Sequence, residues 1–453
     1  MLDFLWNLGS FAIALGVLIT AHEYGHFWVA RRCGVKVERF SIGFGKAIWR
    51  KVGADGTEYV LALIPLGGYV KMLDERVEDV PEELKSQAFN RKSVWQRIAI
   101  VGAGPMANFI FAIFALYIMY LIGVPSIKPV IESTQDNSPA AVIQVNKPMQ
   151  VIAVGEQSVR NWEEVTYALV SHIGDEHIDL TLTPVGGVMG EERSYRLDTR
   201  AWKFDPEKQS PITSLGLDIY RPQIMPELGL VSDDGAAHAA GMQVGDTLVA
   251  VNGADYQDWD TFVEQVKGSA DKQMMITVRR AGEQLNLAVT PKSRVTDNGQ
   301  VEGVIGVAPT QAPWPESMRL QMEYGLGESF MVAADKTWQL VSVSIKMIGK
   351  LFTGDVSVKN LSGPISIAQG AGSSANYGLV YFLGFLALIS VNLGIINLLP
   401  LPVLDGGHLL YYFVEVITGR PVPEKVQEIG FRFGAAVLLM LMSIALFNDF
   451  SRL

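Results

Sequence analysis

Four stretches of this 453-residue chain are apolar and nearly free of charged residues. A segment needs roughly 20 such residues to cross a bilayer, because no water inside the bilayer can satisfy unpaired backbone groups. The composition agrees, since 49% of the residues are hydrophobic and 19% are charged, whereas soluble domains are about a quarter charged. The sequence therefore predicts a multi-pass α-helical membrane protein with four transmembrane helices, at 1–30, 98–125, 377–408 and 431–449.

The composition also argues against two other classes of protein. Cys33 is the single cysteine, so no internal disulfide can form. The formal net charge is -10, and no run of basic residues is long enough to follow a phosphate backbone. We therefore expect neither a disulfide scaffold nor a nucleic-acid partner, whereas membrane lipid is the environment that the apolar windows require.

The distribution of basic residues predicts the orientation of the four helices. Lysine and arginine are concentrated in residues 31–97, whereas residues 1–30 contain none. Positive residues in short loops mark the cytoplasmic side of a membrane. We therefore expect 31–97 and 409–430 to be cytoplasmic loops and the long segment between the second and third windows to lie outside. The first and third helices then end on the same, cytoplasmic side.

The outer segment contains the same order of elements twice. At 222–310, the stretch Ala240–Asp246 precedes an alternating strand that ends in an Asn-Gly turn, and a helix and two strands follow. This pattern resembles a PDZ domain in its circularly permuted bacterial order. Residues 126–221 carry a weaker copy that ends with a strand at Ile178–Thr183. We predict two tandem, β-rich PDZ domains outside the cytoplasm.

Residues 311–376 connect the second repeat to the third window. Apolar residues recur here at intervals of three and four, as in an amphipathic helix: Phe330, Ala334, Trp338, Val341, Ile345, Ile348 and Phe352. Four charged residues interrupt the pattern, so we expect a helix on the membrane surface or packed on the bundle rather than a fifth span. The next stretch, Leu361–Gly378, is rich in Gly, Ser and Pro and predicts a loop.

The motif His22-Glu23-Tyr24-Gly25-His26 stands at the inner end of the first window. Residues four apart lie on one face of a helix, so both imidazoles can bind one ion while Glu23 lies beside its open coordination position. Ionisable residues in a spanning helix are costly, roughly 2.5 to 3.5 kcal/mol for an acid at its centre, which disfavours a chance pattern. The motif predicts a zinc site that includes His22 and His26.

A catalytic zinc ion takes three protein ligands and one water, so a third ligand must come from elsewhere in the chain. The predicted topology places the histidines of the outer segment on the wrong side of the membrane, which leaves His408 and nearby carboxylates. Asp405 follows two prolines that must break the third helix, and two glycines follow it. Broken helix at membrane depth is tolerated only around a cavity. This reasoning leaves both Asp405 and His408 as candidates for the third ligand.

The motif HEYGH together with the run NLLPLPVLDGG, residues 397–407, resembles the site-2 protease family of intramembrane metalloproteases. The two PDZ-like repeats between the second and third windows extend this resemblance over essentially the whole chain. The resemblance implies Zn²⁺ as cofactor, with His22, His26 and Asp405 as ligands and Glu23 as general base. It also implies that Asn397 lies near the bound substrate.

The same resemblance implies a function and a location. The expected activity is zinc-dependent endopeptidase cleavage of single-pass membrane proteins in the bacterial inner membrane, as part of the envelope stress response. The active site would face the cytoplasm and the PDZ domains the periplasm. Expected substrates are a pre-cleaved anti-sigma factor and remnant signal peptides. The PDZ domains would bind peptides or act as a size filter, and the residues favour neither.

Residues between the first two windows predict a β-hairpin. Phe40–Gly45 and Glu58–Met72 contain apolar strand patterns on either side of an Ala54-Asp55-Gly56 turn. An edge strand near the zinc could pair with the backbone of an unwound substrate, and Gly67, Gly68 and Tyr69 are the candidate contacts. An ordinary cytosolic hairpin is the alternative. Resemblance to the site-2 family favours a membrane-associated sheet.

Two other functions fit part of the pattern. A metal-ion transporter would place ionisable residues in spanning helices, but it would need them along several helices, whereas here they cluster at one depth. A non-catalytic PDZ membrane scaffold would not need the intact HEYGH and LDG motifs.

Overall fold

The computed structural model describes residues 2–186, 191–200, 202, 209–296, 299–353 and 361–452. The chain divides into two compact units, one formed by Met1–Val124 with Gln321–Leu453 and the other by Pro125–Leu320. The predicted repeat at 126–221 and the predicted connection at 311–376 both include short segments outside the described residues.

The described residues contain eleven α-helices. In chain order they are α1 Leu2–Arg32, α2 Val94–Ile122, α3 Trp162–Ser171, α4 Pro211–Ser214, α5 Ala236–Ala239, α6 Trp259–Lys267, α7 Leu326–Thr353, α8 Pro364–Tyr377, α9 Leu379–Leu398, α10 Asp405–Thr418 and α11 Glu424–Arg452.

Eighteen β-strands are present in the same part of the chain. They are β1 Val37–Val52, β2 Glu58–Met72, β3 Val124–Ile127, β4 Val130–Thr134, β5 Met149–Val154, β6 Gln157–Ser158, β7 His177–Pro184, β8 Arg193–Asp198, β9 Leu217–Ile219, β10 Ile224–Val231, β11 Thr247–Val251, β12 Ala254–Asp255, β13 Met274–Arg280, β14 Glu283–Val289, β15 Lys292–Val295, β16 Val301–Val304, β17 Val307–Gln311 and β18 Arg319–Met322.

Four helices of the first unit are long and apolar enough to cross a membrane, counting the described residues: Phe4–Arg32, Val94–Ile122, Leu379–Leu398 and Glu424–Ser451. The predicted number of candidate spans is confirmed. The third helix ends at Leu398, before the predicted limit of 408. Pro400 and Pro402 explain the early end, because proline cannot donate the helical hydrogen bond and disfavours helical backbone in the preceding residue.

The prediction of a loop at Leu361–Gly378 is wrong, because Pro364–Tyr377 forms α8. Two contacts with residues distant in the sequence stabilise α8, and the composition of the segment does not reveal them. The Asp449 carboxylate accepts hydrogen bonds from the backbone N–H groups of Gly363 and Ile365, which caps the first turn. Gly372 lies against Asn7 so closely that a side chain there would collide with it. The small residues are therefore packing positions of a helix.

The predicted loop at 409–430 is also largely helical. Helix α10 continues to Thr418, and α11 begins at Glu424. The break between them is short because Gly419, with a φ of 71°, ends α10 in the left-handed conformation that glycine favours.

Helix α2 is the centre of the first unit and packs against α1, α7, α9 and α10. Its small residues allow close approach, since a side chain at Gly25 of α1 would collide with the Ala103 carbonyl of α2. Ser390 of α9 donates a hydrogen bond of 2.8 Å to the backbone carbonyl of Asn108. The predicted amphipathic helix is present as α7, which packs on α2 and α9. Helices α1 and α9 also contact each other directly, so the three helices form one packed group.

Strands β1 and β2 form the predicted hairpin as a two-stranded antiparallel sheet. Asp55 fixes the turn through hydrogen bonds from Thr57, and Arg31 at the end of α1 forms a 2.7 Å ion pair with Asp55. Several large apolar residues of the hairpin are exposed, including Ile48, Trp49 and Leu63. The hairpin is thus attached to α1 and presents an apolar surface.

The second unit contains two six-stranded sheets with the same strand order. The first runs β8-β7-β5-β4-β9 with β6 on β5, and the second runs β14-β13-β11-β10-β17 with β12 on β11. Each sheet has its own buried core and a helix, α3 or α6, that begins with a tryptophan after an Asn or Asp cap. The repeat predicted from the sequence is present in the strand order.

Candidate metal centre

Helix α1 places His22 and His26 one turn apart on the same face. Their Nε2 atoms are 3.2 Å apart, and the rings meet edge to face with centroids 4.8 Å apart. Two imidazole nitrogens this close can share one cation. The i, i+4 spacing places both side chains on one face of α1.

Asp405 is the first residue of α10 and reaches the same point from the other end of the sequence. Its Oδ2 atom lies 3.2 Å from His22 Nε2 and 3.4 Å from His26 Nε2. Two glycines make this placement possible. A side chain at Gly406 would collide with the Leu398 carbonyl, and one at Gly407 would collide with the Leu401 carbonyl. Only residues without a Cβ let α10 fold back against the end of α9.

These three residues match the requirements of a catalytic zinc ion. Tetrahedral zinc with bonds of about 2.0–2.1 Å holds neighbouring donor atoms about 3.3 Å apart. The three separations here are 3.2, 3.2 and 3.4 Å. The buried Asp405 Oδ2 atom has no hydrogen-bond partner among the described residues. Its lone pairs are therefore available to bind a cation. Two histidines and one carboxylate form a ligand set that leaves the fourth position open.

Helix α2 supports both imidazoles from behind. His26 Nδ1 lies 2.8 Å from the Ile100 carbonyl oxygen, and the Asn108 side chain lies 3.1 Å from His22 Nδ1. Gly104 leaves the space that the His26 ring occupies, since any side chain there would collide with the ring. The sequence places Asn108 in the middle of an apolar helix, but it does not reveal that the side chain contacts His22.

Glu23 follows His22 directly and is half-buried. Its carboxylate forms no hydrogen bond or ion pair with any other residue that the structure describes. Gly68 of β2 lies against it, because a Cβ at position 68 would be 3.0 Å from Glu23 Cγ and 2.8 Å from the Ile19 side chain. The hairpin therefore passes beside the carboxylate.

The predicted substrate contacts on the hairpin have defined surroundings. Gly68 pairs with Ile42 of β1, and Tyr69 pairs with Ser41. The Tyr69 ring stacks on Phe44 with centroids 6.2 Å apart, and its hydroxyl accepts a 3.1 Å hydrogen bond from Arg39. Gly67 has a φ of 139° and leaves room for the Phe44 ring. The last part of β2, residues 68–72, pairs only with the first part of β1, so its other edge has no strand partner among the described residues.

Two further candidates lie near the break in the third apolar segment. Asn397 is half-buried in the last turn of α9, and its side chain forms no hydrogen bond within the described part of the chain. His408 lies one turn beyond Asp405 and lines a polar cavity of about 200 Å³ with Arg76, Arg97 and Tyr412. Asp405, and not His408, lies beside the two imidazoles.

Comparison of the sequence with known proteins assigns the chain to a family. The model of "Peptidase family M50" matches residues 10–441. Regulator of sigma-E protease RseP from Escherichia coli and its counterpart from Salmonella typhimurium are each 53% identical to this chain, over 100% of both chains. A Vibrio cholerae protein whose name describes a zinc metalloprotease is 50% identical over the same full lengths.

One solved structure also shows a similarity, at 16% identity and a TM-score of 0.16. It is a PDZ domain of an SdrC-like protein from Listeria monocytogenes, of which the match covers 88%, together with 20% of this chain. The full-length relatives and the family match carry the assignment. The chain belongs to peptidase family M50, the site-2 protease family of zinc metalloproteases.

Proposed function

We propose that the chain is an intramembrane endopeptidase with His22, His26 and Asp405 as its zinc ligands and Glu23 as its general base. The observation that carries this proposal is the set of three donor atoms separated by 3.2 to 3.4 Å. Family membership identifies an enzyme, so the transporter and the non-catalytic scaffold are set aside.

The residues around the site have separate roles in peptide hydrolysis. A zinc ion held by His22, His26 and Asp405 would act as a Lewis acid and would lower the pKa of a bound water to about 7. Glu23 stands beside His22, and its unpaired carboxylate takes a proton from the water that attacks the peptide carbonyl. It then delivers this proton to the amine that leaves as the C–N bond breaks. The Ile100 carbonyl orients His26 through Nδ1 and leaves Nε2 directed at the metal position.

A transmembrane substrate must unwind before this site can reach its backbone. The unpaired edge of residues 68–72 offers main-chain hydrogen bonds to an extended segment, which would add to the sheet as a further strand. Gly67 and Gly68 present backbone without side chains next to Glu23, while Tyr69 and Phe44 form an aromatic surface. Asn397, with its unpaired amide, contacts the same substrate from the end of α9.

The remaining assignments concern location and substrates. The concentration of basic residues at 31–97 supports a cytoplasmic active site in the bacterial inner membrane, with the second unit in the periplasm. The repeated strand order supports two tandem PDZ domains, whose role is to bind peptides or limit substrate size. Relatives named as regulators of sigma-E support a role in the envelope stress response, with a pre-cleaved anti-sigma factor and remnant signal peptides as substrates.

Glu23→Gln tests the proposed base. The variant should bind zinc as the wild type does but fail to cleave a model single-pass substrate in detergent, because the amide cannot accept the proton. Glu82→Gln is the matched control, since Glu82 lies on the surface with its side chain 85% exposed. Cleavage by the Glu23→Gln variant at the wild-type rate would contradict the assignment.

Gly68→Ala tests the substrate strand. The added Cβ meets Ile19, the Ser41 carbonyl and Glu23 Cγ at 2.8 to 3.0 Å, so it shifts the strand relative to the base. A misplacement of about 1 Å lowers a rate about 10²-fold. We therefore expect cleavage to fall by about this factor while zinc content stays unchanged. Gly102→Ala on α2 is the control, because no atom lies within 4 Å of its new Cβ. Unchanged cleavage by Gly68→Ala would show that the hairpin does not form part of the substrate site.

A further inference from the structure

Asn108 is a fully buried polar residue in the middle of α2, with 0% of its surface exposed. Its amide nitrogen lies 3.1 Å from His22 Nδ1. Its amide oxygen is buried and has no hydrogen-bond partner among the residues that the structure describes. A buried amide with one end against a candidate metal ligand and the other end unsatisfied calls for a physical explanation.

The chemistry of the metal ligand supplies one. A neutral histidine that binds a metal through Nε2 carries its proton on Nδ1, and that N–H needs an acceptor. His26 has such an acceptor in the Ile100 carbonyl, 2.8 Å away. For His22 the group facing Nδ1 is the Asn108 amide, and a half-turn of the amide exchanges its nitrogen for its oxygen.

The position of Asn108 is fixed by packing on two sides. The fully buried Ser390 of α9 donates a 2.8 Å hydrogen bond to the Asn108 backbone carbonyl. On the other side, Gly25 of α1 packs closely against Ala103 and Ala107 of α2. The amide therefore reaches His22 from a backbone that neighbouring helices hold in place.

We propose that Asn108 is a positioning residue whose amide oxygen accepts a hydrogen bond from the His22 Nδ1–H group and so directs the Nε2 lone pair of His22 at the metal. The proposal rests on the assignment of His22 as a zinc ligand. Two acceptors on α2, the Ile100 carbonyl and the Asn108 amide, then set the tautomers of both motif histidines. Asn108 touches no reacting atom, and it acts only through His22.

Zinc affinity of the purified full-length protein, measured by competition with a chromogenic chelator, tests this role without relying on activity. Asn108→Leu keeps a similar volume but has no acceptor, and it should weaken zinc binding 10- to 100-fold. Asn108→Asp restores an acceptor and should bind zinc at least as tightly as the wild type. Gly102→Ala on the same helix, where no atom lies within 4 Å of the new Cβ, is the control and should leave zinc affinity within about twofold.

The order of the two substitutions separates positioning from packing. A packing role predicts that the apolar Leu is tolerated and that the buried Asp weakens binding, which is the reverse order and would overturn the proposal. Equal affinity in Asn108→Leu and wild type would also overturn it. Loss of zinc in His22→Ala, measured beside these variants, establishes the ligand itself. If His22→Ala keeps its zinc, the proposed function fails, whereas normal affinity in Asn108→Leu alone rejects only the role of Asn108.

Discussion

Two aspartates with buried carboxylate oxygens, one in each unit, are satisfied to very different degrees. The Asp246 side chain is fully buried in the second unit and accepts hydrogen bonds from the Arg280 guanidinium and the Gln243 backbone N–H. Asp405 in the first unit keeps a buried Oδ2 atom without a hydrogen-bond partner among the described residues, 3.2 and 3.4 Å from two imidazole nitrogens. Full satisfaction is typical of a structural carboxylate, whereas an unsatisfied buried carboxylate oxygen beside two imidazole nitrogens indicates a position for a cation.

The pKa of Asp246 agrees with a structural role. Burial by itself would raise this pKa, but the hydrogen bonds from Arg280 and the Gln243 backbone outweigh it and hold the pKa below its ordinary value of 3.8. The stabilisation is therefore present at neutral pH and disappears only as the pH falls through the lowered pKa. The pair thus contributes to folding across the physiological range.

Removing the unsatisfied carboxylate should have the largest effect on function. Asp405→Ala should abolish stoichiometric zinc binding and proteolysis, because two histidines alone do not complete the ligand set. The helix content measured by circular dichroism should stay at the wild-type level. If this variant retained one zinc per chain, Asp405 would not be a required ligand, and the contrast between the two aspartates would be wrong.

Removing the partner of the satisfied aspartate should affect stability and leave the metal centre intact. Arg280→Ala leaves Asp246 buried without its counter-ion, which costs about 3 kcal/mol. Hydrogen exchange of the β11 and β13 amides should accelerate accordingly, while zinc content stays constant. Unchanged exchange in these strands would show that the ion pair is not structural.

Asp449 sharpens the comparison because it is a satisfied carboxylate in the same unit as the metal centre. It accepts hydrogen bonds from the N–H groups of Gly363, Ile365 and Ser366. Asp449→Ala should destabilise the start of α8 by about 1 kcal/mol, as loss of a helix cap does, and should not change zinc affinity. Asp449→Asn, which keeps an acceptor, is the control. Faster exchange of these amides in Asp449→Ala than in Asp449→Asn is the expected measurement.

The part of the site carried by one helix could be predicted from the sequence, because the spacing of His22 and His26 fixes their relation. The four candidate spans and the β1–β2 hairpin follow equally local patterns. Asp405 required resemblance to a family, since spacing alone left His408 open. The geometry that brings Asp405 to α1 depends on Gly406 and Gly407 fitting against carbonyls at the end of α9.

Predictions failed or stopped where the decisive partner was distant in the chain. Helix α8 has the composition of a loop, but its first turn is capped by Asp449 and its glycine packs on Asn7. Asn108 is visible in the sequence as a polar residue in an apolar helix, but its contact with His22 depends on how α1 packs on α2. A single sequence contains no local signal for either contact.

The central claim is that one zinc ion joins the carboxyl-terminal part of α1 to the start of α10. X-ray absorption spectroscopy of the zinc-loaded full-length protein tests it most directly, because it reports the atoms bound to the metal. The account predicts nitrogen and oxygen ligands at about 2.0–2.1 Å that include two imidazoles, and loss of this spectrum in Asp405→Ala. A sulfur ligand at about 2.3 Å, or a spectrum that Asp405→Ala leaves unchanged, would contradict it.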